Sequence, residues 1–331
     1  MSWADSLPVV FLALMGLAML AYVVLDGYDL GVGLLLHRAT AAEKDTMIAS
    51  IGPFWDANET WLVLGVGILL IAFPKAHGLV LTALYLPVAL MLVGLILRGV
   101  AFDFRVKAHD EHKPLWNFAF FAGSGLAAAS QGWMLGRYIT GFAPGWEYAL
   151  FAAVIALLLP AAYVLLGAAW LIMKTEGALQ RRAVRWAKMA WPPVVLGMAL
   201  ISVATPWVSD TVRAKWFALP AFIALMPIPA ATLAALGAVR FALDTPAVLG
   251  RWCWAPFAGT VAVFVLGAVG LAYSLFPYVV MDTLTIWDAA SAPESLAVIL
   301  IGCAVTVPAI VGYTVFSYRV FWGKAQPLSY G

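Results

Sequence analysis

Long apolar runs, each interrupted by only a few polar residues, dominate the chain. A helix needs about 20 apolar residues to cross the hydrocarbon core of a bilayer. Nine runs of suitable length each predict a transmembrane helix: 7–25 (or 7–36 if the helix continues), 54–73, 79–100, 116–138, 148–173, 188–207, 219–238, 256–279 and 295–320. The connections leave no room for a soluble domain, so we predict an all-α fold, a polytopic membrane helical bundle forming one domain over residues 1–331.

Composition supports the same class. Of the 331 residues, 64% are hydrophobic and only 11% are charged, whereas soluble domains carry about 25% charged residues. The net charge of +2 is spread over predicted loops and does not indicate a nucleic-acid partner. The first apolar run opens without a basic segment, which predicts no cleavable signal peptide. Cys253 in a predicted loop and Cys303 in an apolar run predict neither a disulfide framework nor a thiolate metal site.

The placement of Lys and Arg predicts the orientation of the bundle. Fifteen of these 19 residues fall on one predicted side and four on the other. Positive residues concentrate on the cytoplasmic side of membrane proteins, so the N-terminus is predicted to be periplasmic and the C-terminus cytoplasmic. The strongest bias comes from the predicted loop after the fifth helix, which holds Arg181, Arg182, Arg185 and Lys188.

Two acidic stretches stand against the apolar background, both at the predicted cytoplasmic mouth of the bundle. The first holds Asp26 and Asp29 among glycines, and a spacing of three places both carboxylates on one helical face. A charged side chain at the bilayer centre costs about 2.5–3.5 kcal/mol, so acids at membrane depth point to a function such as proton transfer. An interfacial helix end with hydrated carboxylates is the alternative, and spacing alone leaves it open.

The second stretch opens the next apolar run. Three hydrogen-bonding side chains, Asp56, Asn58 and Glu59, fall between Trp55 and Trp61. First-turn acids would complement the helix dipole, with the tryptophans in an interfacial belt. Three such side chains exceed what a helix cap requires, which favours a chain of carboxyl and amide groups that passes protons, oriented by the two tryptophans.

A third group, Arg98, Asp103 and Arg105, ends the third predicted helix on the same side. In one interpretation the arginines reach toward the interface and Asp103 is their counter-ion. In the other, Asp103 collects protons while the arginines hold it ionised or pair with the first acidic stretch. Asp282 and Asp288 are interpreted as part of an outer interfacial loop.

The histidines argue against metal binding by this chain. All four are predicted in loops, at His37, His77, His109 and His112. A membrane haem usually needs His or Met ligands at depth on facing helices, so no metal ligand is expected here. The sequence also lacks a nucleotide-binding loop, a nucleophile elbow and a dinucleotide fingerprint.

Three motifs occur in a fixed order: Asp26-Gly27-Tyr28-Asp29-Leu30-Gly31-Val32-Gly33, Pro53-x-Trp55-Asp56-x-Asn58-x-x-Trp61-Leu62 and Arg98-x-x-x-Phe102-Asp103-Phe104-Arg105. Two further matches lie near the C-terminus, at Phe276-Pro277-Tyr278 and Thr285-Ile286-Trp287-Asp288-Ala289. With these motifs the chain resembles subunit II of the cytochrome bd-type quinol oxidases along nearly its whole length.

The resemblance implies a haem-free subunit of a bacterial inner-membrane terminal oxidase. It implies a heterodimer with a similar subunit I, which would carry the catalytic residues, the quinol-oxidising loop and haems of the b and d types or of the b type only. The pair would oxidise quinol and reduce dioxygen to water with cytoplasmic protons. Asp29, Asp56 and Asp103 match acids of the family's proton pathway. In some members a quinone is bound in subunit II. A small single-helix third subunit often accompanies the pair.

One departure concerns Glu59, which takes a position where other members carry a neutral or differently titrating side chain. The pathway here would gain a titrating group, or Glu59 would face the loop. The compact loops and short C-terminal tail favour the cyanide-insensitive branch. We therefore predict an accessory subunit that passes protons, with membrane lipids and quinone as partners. The alternative is a proton-coupled secondary transporter that uses the same acids for symport.

Overall fold

The structure is a computed structural model that describes residues 3–326. Its α-helices are, in chain order, α1 (Trp3–Leu35), α2 (Ala41–Ile51), α3 (Trp55–Ala72), α4 (Pro74–Lys107), α5 (Lys113–Ile139), α6 (Trp146–Lys174), α7 (Gly177–Val208), α8 (Asp210–Phe217), α9 (Ala221–Leu225), α10 (Pro227–Asp244), α11 (Ala255–Leu275), α12 (Ile286–Ala289) and α13 (Pro293–Val320). Short 3₁₀ turns cover Leu36–Arg38 and Pro246–Leu249. Two short strands, β1 (Tyr278–Val280) and β2 (Leu284–Thr285), pair antiparallel.

The predicted polytopic helical bundle is confirmed. Among the described residues, eight helices are long and apolar enough to cross a membrane. The run predicted at 116–138 forms α5, which has 27 residues but lies outside that group of eight. Its buried residues include the polar side chains Ser124, Ser130 and Gln131. The count of nine spans and the orientation of the termini stay predictions.

Helix α1 extends through the first acidic stretch, as in the longer of the two predicted ranges. It runs without a break from Trp3 to Leu35, so Asp26 and Asp29 lie within the helix and not at its end. Every residue from Asp26 to Gly33 is buried. The acidic face of α1 is therefore enclosed by protein on all sides.

Helix α2 was not predicted, because its apolar content is too low for a membrane span. Thr40 caps its N-terminus: the hydroxyl oxygen accepts from the Glu43 backbone N–H, and the Glu43 carboxylate accepts from the Thr40 backbone N–H. This reciprocal capping box is encoded by the Thr-x-x-Glu spacing and could have been recognised in the sequence.

Two assignments need correction. Helix α7 begins at Gly177 and not at 188, so the basic residues Arg181, Arg182, Arg185 and Lys188 lie in a helix rather than in a loop. Likewise, His77 lies in the first turns of α4, and His37 lies in a 3₁₀ turn. The length of an apolar run predicts only the membrane-spanning part of a helix. The first turns of α4 and α7 are more polar and therefore lay outside the predicted runs.

Prolines shape two other helices. Helix α4 is kinked at Leu84, whose φ of −115° and ψ of 15° are non-helical, three residues before Pro87. Proline removes a helical N–H and crowds the preceding turn, which explains the kink. The run predicted at 219–238 is divided in the same way, with α9 ending just before Pro227 starts α10.

Close backbone contacts hold the core together. Gly31 of α1 lies against the backbone of Tyr163 and Gly167 in α6, where an added Cβ would overlap the Tyr163 carbonyl. Gly94 of α4 and Gly123 of α5 face each other in the same manner, with an added Cβ on either one within 2.7 Å of the other's carbonyl oxygen. Small residues let membrane helices approach closely, so α1 is fixed rigidly beside α6.

The residues directly after α13 contact the end of α6. Lys174, at the end of α6, donates to the Phe321 carbonyl at 2.7 Å, and Lys324 donates back to the Met173 and Thr175 carbonyls at 3.0 and 2.9 Å. These bonds hold the end of α13 beside α6. At the opposite end of α13, the predicted outer loop contains the β1–β2 hairpin with Asp282 and helix α12 with Asp288.

Candidate functional site

A buried acidic cluster, defined as Asp26, Asp29, Glu59 and Arg98, lies where α1, α3 and α4 meet. Asp26 and Asp29 are fully buried and Arg98 is 1% exposed. Arg98 Nη1 lies 2.5 Å from Asp26 Oδ1 in an ion pair, although not in hydrogen-bond geometry, and Arg98 Nη2 pairs with Glu59 Oε1. Two carboxylates therefore share one guanidinium, and the fully buried Asp29 lies one helical turn from Asp26 on α1.

Asp29 differs from the other two acids because it forms no ion pair among the described residues. Its Oδ2 accepts from Asn58 Nδ2 at 2.8 Å. The same amide nitrogen lies 2.9 Å from the Tyr28 hydroxyl and 3.3 Å from the Leu25 carbonyl. Asp29 is thus held by a neutral amide, whereas the positive charge of Arg98 balances the carboxylates of Asp26 and Glu59.

Asn58 links three helices. The Tyr318 hydroxyl, from α13, donates to Asn58 Oδ1 at 3.3 Å and lies 2.6 Å from the Tyr28 hydroxyl. The Tyr28 ring stacks on Trp170 of α6 with centroids 4.1 Å apart. Aromatic packing and hydrogen bonds together fix the position of the Asn58 amide, which was predicted as part of the site. Tyr28 and Tyr318 were not predicted to join it.

A second hydrogen-bonded group, which we call the tyrosine arm, consists of Tyr22, Gln131 and Tyr163. Tyr163 donates to Gln131 Oε1 at 2.5 Å, and Gln131 Nε2 donates to the Tyr22 hydroxyl at 2.9 Å. Tyr22 lies four positions, about one helical turn, before Asp26 on α1. Sequence reasoning missed this group, although a glutamine inside a predicted membrane span was a usable signal.

Several buried polar atoms of the site make no hydrogen bond within the described residues. They are Asp26 Oδ1 and Oδ2, Asp29 Oδ1, Arg98 Nε and Nη1, Trp61 Nε1 and Ser124 Oγ. Buried polar groups are normally satisfied, and a cluster of exceptions needs an explanation such as bound water or a catalytic role. The site therefore has spare hydrogen-bonding capacity of the kind that a proton path requires.

The remaining predicted residues lie around the cluster. Asp56, in the first turn of α3, and Asp103 of α4 are both exposed on the surface of this chain. Arg105 pairs instead with Asp45 at 2.8 Å and with Asn117 at 2.5 Å, away from the cluster. Of the two predicted arginines, Arg98 alone joins the first acidic stretch, because Arg105 lies seven positions, two turns, further along α4.

The two predicted tryptophans pack beside the cluster. Trp61 is buried against Ala18 and Tyr22 of α1. The Trp55 ring lies 5.1 Å from the Phe102 ring, between α3 and α4. Both contacts are apolar, so these side chains fix the spacing of the helices around the acids.

The arrangement of the His, Cys, Asp and Glu side chains bears on metal binding. Within residues 3–326, no group of three or more His, Cys, Asp or Glu side chains is arranged to hold a metal ion. His37 Nδ1 lies 2.9 Å from the Leu34 carbonyl, at the end of α1. Of the other histidines, His77 lies in the first turns of α4, and His109 and His112 lie between α4 and α5.

The chain matches the family Cytochrome bd terminal oxidase subunit II over residues 7–321. It belongs to that family. It is 27% identical to the cytochrome bd ubiquinol oxidase subunit 2 of Bacillus subtilis over 98% of this chain and 99% of that protein. It is 26% identical to the cytochrome bd-I ubiquinol oxidase subunit 2 of Escherichia coli, over 94% and 93% of the two chains.

A solved structure agrees in fold. The bd oxidase from Geobacillus thermodenitrificans contains a chain that superposes with a TM-score of 0.78 and 18% identity, covering 96% of this chain and all of that one. Family membership confirms the resemblance drawn from the three motifs. The chain is a multi-pass protein of the bacterial inner membrane and a subunit of a terminal oxidase of the cytochrome bd type.

Proposed function

We propose that this chain is the haem-free subunit II of a quinol:oxygen oxidoreductase and that it supplies cytoplasmic protons to subunit I. The observation that carries the proposal is the buried Arg98 paired with Asp26 and with the partly exposed Glu59, beside a second fully buried acid, Asp29. Isolated charges at membrane depth are costly, and acids retained there usually serve ion or proton transfer. The names of the Bacillus and Escherichia relatives supply the substrate, a quinol.

The contacts divide the roles of the acids. Asp26 faces Arg98 at ion-pair distance, so it serves as a fixed negative charge. Asp29 has a neutral partner in Asn58 and a free Oδ1, so it can gain and lose a proton without breaking an ion pair. We assign Asp29 as the relay group and Asn58 as the residue that orients it.

The route begins at the cytoplasmic surface. Asp103 and Asp56 are exposed and can exchange protons with bulk water. Glu59, 29% exposed at its side chain, contacts both the surface and Arg98, so it connects the surface acids to Asp29. We therefore assign Glu59 as an additional titrating group of the pathway and not as a side chain that faces the loop. Trp55, Trp61 and Arg98 hold the path in place, and Arg105 anchors α4 to α2.

The rest of the complex follows from the family. Subunit I would form the heterodimer with this chain and carry the haems, of the b and d types or of the b type only, where dioxygen is reduced. A quinone bound to this subunit and a small third subunit are further expected partners. Oxygen reduction consumes protons, and a route through fixed side chains keeps the membrane otherwise closed to them. The proton-coupled transporter is not supported by the relatives found.

The test uses the assembled complex. Asp29→Asn should lower quinol-driven oxygen consumption by about 100-fold, the lower range for loss of a proton-transfer group. The haem absorption spectrum should stay unchanged. Asp110→Asn is the matched control, because Asp110 is 94% exposed in the turn before α5 and pairs with Lys113, the first residue of that helix. Normal activity in Asp29→Asn with an intact spectrum would exclude the relay role.

A further inference from the structure

The hydrogen-bond partners of Asn58 define the orientation of its side-chain amide. Its nitrogen lies 2.8 Å from Asp29 Oδ2 and 3.3 Å from the Leu25 carbonyl oxygen. A flip of the amide would exchange its nitrogen and oxygen, and the surrounding partners decide between the two placements. The Leu25 carbonyl can only accept a hydrogen bond, so the amide nitrogen is the atom that faces Leu25 and Asp29.

The side chains of Asn58, Tyr28 and Tyr318 form a closed ring of hydrogen bonds. Asn58 Nδ2 lies 2.9 Å from the Tyr28 hydroxyl and can only donate, so the Tyr28 oxygen accepts from it. The Tyr28 O–H is then left to donate to the Tyr318 hydroxyl, 2.6 Å away. The Tyr318 O–H completes the ring by donating to Asn58 Oδ1 at 3.3 Å. All three bonds run in one direction, and hydrogen bonds arranged in this way strengthen one another.

Tyr318 occupies a fixed position in the last turn of α13. Its ring lies 4.5 Å from the Phe54 ring and meets the Trp170 ring edge-on at 6.1 Å. Three positions further along the chain, the Phe321 carbonyl accepts from Lys174 at 2.7 Å, which holds the end of α13 beside α6. Removing the Tyr318 hydroxyl would leave these contacts in place, because none of them uses it.

The two carboxylate oxygens of Asp29 have different surroundings. Oδ2 accepts from Asn58, whereas Oδ1 is buried and makes no hydrogen bond within the described residues. A proton on Oδ2 would face the Asn58 N–H, and two donors cannot bond to each other. With the amide in its observed orientation, a proton that Asp29 gains is therefore carried on Oδ1.

We propose that Tyr318 is a positioning residue for Asp29. Through the ring it holds the Asn58 N–H on Oδ2 and thereby reserves Oδ1 as the oxygen that gains and loses the transferred proton. Without the Tyr318 O–H, Asn58 Oδ1 has no donor, and a buried acceptor without a partner favours rotation of the amide toward other groups. The proposal rests on the proton pathway given above and adds a residue from α13 to it.

The first test is a double-variant cycle in the assembled, haem-loaded complex. Tyr318→Phe should lower quinol-driven oxygen consumption about 3- to 10-fold, the effect of one buried hydrogen bond. In an Asn58→Ala background, Tyr318→Phe should cause no further loss, because the amide that it positions is absent. A purely structural role of Tyr318 would lower the rate by the same factor in both backgrounds.

The second test observes the Asp29 carboxyl group by infrared difference spectroscopy of the oxidised and reduced complex. The band that Asp29→Asn removes should shift in Tyr318→Phe. It should also shift in Tyr28→Phe, which opens the same ring at another bond. Tyr138→Phe is the control, because Tyr138 also donates a hydroxyl bond, at 2.7 Å, but to the Val279 carbonyl in β1. The control should leave the rate and the band unchanged.

The proposal is overturned if Tyr318→Phe matches Tyr138→Phe in rate and band position, or if its loss persists in the Asn58→Ala background. Either result together with a slow Asp29→Asn variant rejects the role of Tyr318 and leaves the proton pathway standing. Normal activity in Asp29→Asn rejects the pathway and this inference with it. If Tyr318→Phe fails to assemble, Tyr28→Phe decides by the same criteria.

Discussion

Arg98 and Asp26 form an ion pair of 2.5 Å in which both side chains are 1% exposed. The pair joins the C-terminal third of α1 to the C-terminal third of α4, and Glu59 extends it to α3. A buried ion pair is weak evidence for stability, since desolvation offsets much of the attraction. Removing one partner is costly, however, because an unpaired charge remains in the interior.

We therefore expect Arg98→Met to destabilise the subunit by about 3–5 kcal/mol. Adding Asp26→Asn and Glu59→Gln should recover much of the loss, because no unpaired charge then remains. The yield of assembled complex and its thermal denaturation measure the effect. Arg213→Met is the control, since its pair with Asp210 is exposed and worth about 0–1 kcal/mol. Equal losses in the Arg98→Met single variant and the triple variant would contradict this explanation.

The contact between α1 and α6 gives a second prediction. Gly31→Ala would drive a Cβ into the Tyr163 backbone, so the two helices must separate. We expect a loss of about 3 kcal/mol or more, in the range of severe overpacking, and little assembled complex. Gly16→Ala, in the same helix, has nothing within 4 Å of the added Cβ and should be neutral or slightly stabilising. Equal expression of the two variants would show that the close contact is not required.

The capping box of α2 gives a pH-dependent prediction. Burial raises the pKa of Glu43, but hydrogen bonds from Thr40 and the charges of Arg182 and Arg185 outweigh it, so the net pKa lies below its usual value. Because the pKa of Glu43 is lower in the folded than in the unfolded chain, ionised Glu43 stabilises the helix at pH values above its unfolded pKa of about 4.3. This stabilisation is lost as the pH falls through the folded pKa.

Glu43→Ala should accordingly weaken α2 by about 1 kcal/mol at pH 7. Amide hydrogen exchange over residues 41–51 should then be about 5-fold faster than in the parent chain, and the difference should shrink below about pH 4. Lys44→Ala, at the next position, is the control. A difference that stayed constant down to pH 3 would show that the charge of Glu43 contributes nothing.

Sequence patterns predicted the bundle because apolar runs are a local property of the chain. The acidic face of α1 was also predictable, since helical spacing alone places Asp26 and Asp29 together. The partner of Arg98 was not predictable, because the pattern allowed Arg98 to pair either with Asp103 or with the first acidic stretch. The tertiary structure decided between them, since Arg98 is buried beside Asp26 of α1 whereas Asp103 is exposed.

The tyrosine arm lay beyond the sequence for a different reason. Its members are separated by 109 residues between Tyr22 and Gln131 and by 32 between Gln131 and Tyr163. Tyrosine and glutamine in an apolar helix fit many structural roles, so their meaning depends on which neighbours they meet. Helix α2 is the opposite case, since its Thr40-x-x-Glu43 signal was local and was overlooked.

The surface acids provide the last prediction. Asp56 and Asp103 are exposed, so bulk water can replace either of them as a proton source more easily than it can replace the buried Asp29. Asp56→Asn and Asp103→Asn should each leave the haem spectrum intact and lower oxygen consumption less than Asp29→Asn does. The loss should grow at alkaline pH, where protons in bulk water are scarce and a collecting carboxylate contributes most.

The measurement is the pH profile of quinol-driven oxygen consumption, with Asp110→Asn as the exposed control. Unchanged profiles for both Asp56→Asn and Asp103→Asn would remove these two acids from the route and leave Glu59 as the first acid from the surface. In that case we expect Glu59→Gln alone to lower oxygen consumption most strongly at alkaline pH. Glu59 also pairs with Arg98, so Glu59→Gln should be measured together with Asp26→Asn. Asp26→Asn keeps the Arg98–Glu59 pair and removes the Arg98–Asp26 pair.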